Sequence, residues 1–87
     1  MISQAEVDEI VGLVETKGLS ETVIAELRRQ YPYHFTYCME DDMDASLPAL
    51  EKADFNVYFV DSSNHCSILT QHPENASGLV LAEVIHD

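Results

Sequence analysis

Four side chains in this sequence have the chemistry of soft metal ligands or nucleophiles: His34, Cys38, His65 and Cys66. A second set, Glu40, Asp41, Asp42 and Asp44, packs carboxylates directly behind Cys38. Thiolate and imidazole suit zinc or copper(I). An extended chain holds His34 and Cys38 on one face but about 13 Å apart, too far to share an ion. A metal centre therefore needs His65 or Cys66 delivered from a neighbouring strand, and no CxxC or HxxxH spacing supports one. Unpaired cysteines in strands are most often small buried hydrophobes. A Cys38–His34 nucleophilic dyad fails on the same distance, and the adjacent carboxylates push the thiol toward its protonated form.

The carboxylates are candidates for a hard cation. Asp42-x-Asp44-x-Ser46 imitates the start of a calcium loop, but Leu47 replaces the required glycine and Ala53 the bidentate glutamate. Such a run is most commonly a solvated loop. This one also carries Met39 and Met43, and methionine adapts readily at binding surfaces. Met39, Glu40, Asp41, Asp42, Met43 and Asp44 are accordingly expected to form a protein-interaction surface toward a basic, partly apolar patch. No catalytic residue, cofactor site or metal site is assigned.

Composition narrows the partners. The chain has 87 residues, 46% of them hydrophobic, which fits one domain spanning 1–87 with a core of marginal size. Acids outnumber Lys and Arg by 16 to 4, a formal charge of −12. Nucleic acid and anionic membrane surfaces are disfavoured, because both are bound through cations. MISQAEVDEI has neither a basic segment nor a continuous apolar run, and no stretch approaches the roughly 20 apolar residues of a membrane span. The expected location is cytoplasmic, with both cysteines as free thiols.

The elements that position these residues read as follows. Ser3 with Glu6 forms a capping box, and Val7, Ile10, Val11 and Val14 give an apolar stripe ending at Lys17-Gly18. Ser20 caps a second helix that buries Val23, Ile24 and Leu27 and stops before Pro32. The short link predicts a helical hairpin. From Tyr33 the period becomes two, with Phe35, Tyr37 and Met39 on the core side and His34, Thr36 and Cys38 opposite. Residues 45–54, with Pro48, read as a loop containing one helical turn. FNVYFV (55–60) and the strand 65–70, joined across Asp61-Ser62-Ser63-Asn64, predict a hairpin. GLVLAEVIHD is ambiguous: a helix exposing Glu83, His86 and Asp87, or a strand buried on both faces. A cap at Asn75 or Ser77 favours the helix.

HFTYCMEDDMD, FNVYFVDSSNHCSILT and the ending SGLVLAEV together resemble a small proteobacterial family of unassigned function encoded near nitrogen-fixation genes. The resemblance covers nearly the whole chain. It implies an accessory role around nitrogenase, its maturation or its electron supply, and carries over no active site.

The expected fold is α+β: an N-terminal helical hairpin and a C-terminal helix on a small, mainly antiparallel three-stranded sheet. An open face or unpaired edge of that sheet favours a homodimer. The expected function is a small, acidic, non-enzymatic accessory protein acting by protein–protein interaction. The alternative is a small metal-binding or metal-delivery protein using Cys38, Cys66, His34 and His65.

Overall fold

The Ser3 hydroxyl accepts the Glu6 amide at 3.1 Å, and the Glu6 carboxylate accepts the Ser3 amide at 3.2 Å. This reciprocal cap starts helix α1 (Gln4–Lys17), with Ile2 and Val7 both buried beside it. Gly18 ends the helix at φ 86°, a backbone angle that side-chain-bearing residues rarely adopt, and its amide bonds the Val14 carbonyl at 2.8 Å. Ser20 then caps α2 (Glu21–Gln30) by accepting the Val23 amide at 3.3 Å. Tyr31, extended ahead of Pro32, closes it. The computed structural model describes residues 1–43, 46–62 and 68–85.

Among the described residues five strands follow: β1 (His34–Met39), β2 (Leu50–Glu51), β3 (Phe55–Asp61), β4 (Ile68–Thr70) and β5 (Gly78–Glu83). They form one mixed sheet. β1 runs parallel to β5, β5 antiparallel to β3, and the far side of β3 is shared by the short strands β2 and β4. Both helices lie on one face, where Phe35, Phe55, Val57, Phe59, Leu79 and Leu81 join Ile10, Val14, Ile24 and Leu27 in the core cluster. Removing these apolar groups from water is the dominant stabilising term, about 25 cal/mol per Å². The opposite face carries His34 and Thr36, both exposed, and Tyr58, which is buried.

This architecture corrects the expected one. The class is α+β, but the two helices do not make a hairpin on a three-stranded antiparallel sheet, and the C-terminal segment is not a helix. α2 makes most of its close approaches to β1 and few to α1, its link to that helix being a Lys17–Glu26 ion pair at 3.0 Å. Half-exposed, that pair contributes little. Residues 78–83 become β5 because a strand between two partners is buried on both faces, and Leu79, Leu81 and Ala82 are all within 1% of full burial there. The Asn75 and Ser77 positions cap no helix; a single 3-10 turn over Pro73–Asn75 leads into the strand.

The stretch expected as a loop with a helical turn contains β2 instead. The Ala49 amide bonds the Val57 carbonyl at 2.8 Å and the Lys52 amide bonds the Phe55 carbonyl at 2.9 Å, closing a tight hairpin onto β3. β3 and β4 pair antiparallel, in the register Phe59 to Thr70 through Asp61 to Ile68. Ser63, Asn64, His65, Cys66, Ser67, His86 and Asp87 lie outside the described residues. Among the described residues, no helix is long and apolar enough to cross a membrane.

Candidate functional site

Where β1 ends at Met39, the carboxylates force a change of backbone, and Glu40–Met43 close a 3-10 turn. Adjacent acids repel one another and fit poorly in a paired strand. The turn is anchored rather than free. The Tyr58 hydroxyl donates to the Glu40 carboxylate, 2.6 Å from Oε1 and 2.7 Å from Oε2, and the Asn56 amide also donates to Oε1. Both donors stand on β3, on the face away from the helices. The Tyr58 hydroxyl also lies 3.5 Å from the Ser46 carbonyl, so the chain beyond the turn closes over the same group. Tyr58 is 1% exposed as a result. Burial first, and then the bond to Glu40 and its negative charge, push the phenol up to about 12.

The other carboxylates face outward. Asp41 and Asp42 are exposed, while Met39 and Met43 are half-buried. Asp44 lies outside the described residues. The six positions expected as an interaction surface therefore divide. Glu40 turns in and holds the turn, Asp41 and Asp42 carry its outward charge, and the two methionines supply apolar flanks. Beside them, Glu83 at the end of β5 accepts the Tyr37 hydroxyl. Met39, Glu40, Asp41, Glu83, Val84 and Ile85 line a common recess of about 290 Å³.

Tyr58, Asn56 and Glu83 were missed as parts of this site. A signal for the first two was present, since the alternation in FNVYFV puts Asn56 and Tyr58 on the face opposite Val57 and Phe59. Nothing in the sequence signalled Glu83, which reaches the turn only through the β1–β5 register that pairs Met39 with it.

The soft-ligand set is not gathered among the described residues. Cys38 is half-buried, with Sγ 3.7 Å from the Met43 sulfur. Burial first, then Asp42 and Glu40, push its thiol up, so it stays protonated at neutral pH and is a weak nucleophile. His34 lies farther along the strand, in a separate recess of about 300 Å³ with Thr36, Val60, Ser62 and Ser77. Among the described residues no group of three or more His, Cys, Asp or Glu is placed to hold a metal ion. His65 and Cys66 fall outside them.

A family model described as a family of unknown function, DUF6129, matches residues 9–84. The chain belongs to this family. Comparison with curated proteins and with solved structures gives no match. The DUF6129 span takes in β1, the acidic turn, Asn56, Tyr58 and Glu83, and leaves out the Ser3 cap.

Proposed function

We propose that this DUF6129 protein is a small, acidic, non-enzymatic accessory protein of the cytoplasm. It binds another protein through the acidic turn, and nitrogen fixation is the setting that its resemblance implies. The observation that carries this reading is the division of labour among the carboxylates. One, Glu40, is spent on Tyr58 and Asn56 to fix the turn, and that leaves Asp41 and Asp42 presented to solvent. A fixed turn loses little conformational freedom on binding, so its charge is preorganised for a partner. The complementary surface is basic, with apolar ground to meet Met39 and Met43. With a formal charge of −12 behind it, the turn should speed encounter more than it deepens affinity.

The test is affinity capture from cells grown under nitrogen-fixing conditions, followed by binding measurements on whatever is captured. Asp41→Lys/Asp42→Lys should lose the partner and flatten the salt dependence of association, with an unchanged melting temperature. Glu40 is left intact because reversing it would detach the turn itself. Capture that is equal for wild type and double variant refutes the reading.

A further inference from the structure

The sheet has two unlike edges. One is divided between β2 and β4, strands of 2 and 3 residues among the described residues, and such short strands are poor templates for pairing. The other is β1, 6 residues long and, among the described residues, paired on one side only. The His34 amide bonds inward to the Ser77 carbonyl at 3.2 Å. Hydrogen-bonding groups alternate sides along a strand, so the amides and carbonyls of Phe35, Tyr37 and Met39 point away from β5.

The surroundings of this edge are charged in a fixed order. At its start, the Arg28 guanidinium donates to the outward carbonyl of Phe35 at 2.9 Å. At its finish, Glu21 and Asp42 line a recess with Tyr37, Cys38 and Met39. Helix α2 thus runs opposite to β1, with its acidic first turn over the end of the strand and its basic last turn over the beginning. Seven helical residues rise about 10.5 Å and four strand residues span about 13 Å, so the two charges mark the two ends of one short edge. An edge that is basic at one end and acidic at the other is complementary to itself when reversed.

We propose that β1 pairs antiparallel with β1 of a second copy of this chain, about a twofold axis at Tyr37, giving a homodimer with one continuous sheet. In that register Tyr37 exchanges both backbone bonds with the partner's Tyr37, while Phe35, whose outward carbonyl is shared with the Arg28 guanidinium, faces the partner's Met39. Arg28 is then carried beside the partner's Asp42 and the partner's Glu21. Ala25, small and lying between Glu21 and Arg28 on α2, lets the two helices run close together on the same face. A chain with a formal charge of −12 repels its own copies at random orientations, and this arrangement meets that repulsion with opposite charges at both ends of the contact. The pairing rests on the backbone of β1, on α2 and on Asp42, which it shares with the surface proposed above, so oligomeric state and amide protection, measured with no other protein present, are what test it.

The test is a charge exchange across the axis. Sedimentation equilibrium should show a dimer for the wild type, and both Arg28→Glu and Asp42→Arg should raise its dissociation constant by about tenfold or more. Combining Arg28→Glu with Asp42→Arg in one chain should restore it, because each new glutamate meets a new arginine on the other subunit. Asp8→Arg on α1, away from the edge, should leave it unaltered. Circular dichroism establishes that each variant is folded. Amide hydrogen exchange on the wild type, which needs no variant, should show Tyr37 and Met39 gaining protection as concentration rises. A chain monomeric at every concentration overturns the proposal. So does a dimer in which those two amides exchange at a concentration-independent rate, or protection that appears only when a foreign protein is added.

Discussion

Gly78→Ala should lower the stability of this protein by about 1–3 kcal/mol, and Gly78→Val by more. A Cβ built on Gly78 would lie 2.8 Å from the His34 carbonyl oxygen, closer than such carbons come in folded chains, and a tight 3.0 Å from the His34 Cβ. One obstructing atom is the backbone carbonyl of β1 and the other the Cβ that this backbone fixes, so no side-chain rotation relieves the contact. The conflict can be relieved only by parting β1 from β5 at the start of their pairing, where His34 faces Gly78. β1 has no second strand among the described residues to hold it, so the loss is not made up elsewhere. Gly12 is the control. A Cβ there meets nothing within 4 Å, so Gly12→Ala in mid-helix should be neutral or stabilising by up to about 1 kcal/mol. Urea denaturation of the two variants beside wild type decides the matter. Equal midpoints for all three would show that the β1–β5 approach is looser than this.

The contrast between the two glycines marks what could be read from sequence. Features decided within one turn of chain were legible. Ser3 with Glu6, Ser20 and Gly18 delimit both helices because the caps need only residues three or four positions away. Phe35 was legible as a core residue of β1 through the period-two pattern. β5 was not, because Val80, Leu81, Val84 and Ile85 satisfy a helical stripe while the same run satisfies a strand buried on both faces. What decides between them is the presence of β1 on one side and β3 on the other, and neither is near in sequence. Propensity gives way to tertiary pairing in such a case. β2 was illegible for a different reason, since two residues carry no measurable period. The acidic turn was visible as composition, but Glu40 looked no different from Asp41. Its role is set by Tyr58 and Asn56, which come within reach only when β3 lies beside β5 and β5 beside β1.

The largest effect within the site should come from breaking that anchor. Glu40→Ala takes the carboxylate from the buried Tyr58 hydroxyl, leaving it the long contact to the Ser46 carbonyl at 3.5 Å and the neighbouring Asn56 side chain, and should cost about 1–3 kcal/mol. Tyr58→Phe should cost less, since the half-buried Glu40 carboxylate then keeps Asn56 as its neighbouring donor. The double variant should cost clearly less than the two singles together, because both singles break the same Tyr58–Glu40 bond, and a coupling of about 0.5–3 kcal/mol is the range for such contacts. Alkaline titration gives an independent reading. Tyr58 holds its proton up to about 12 in the folded chain against 10.0 for a free tyrosine. Between those values the unfolded chain has released a proton that the folded chain retains, so stability falls as pH rises through this window and is intact below it. Tyr31, Tyr33 and Tyr37 are raised as well and leave a residual slope. Tyr58→Phe should therefore make the alkaline decline shallower without abolishing it. An unchanged slope, or strictly additive single costs, would mean that Tyr58 and Glu40 are not joined as the structure has them. The turn bearing Asp41 and Asp42 would then be free to move, and its advantage as a preorganised surface would be lost with the bond that fixes it.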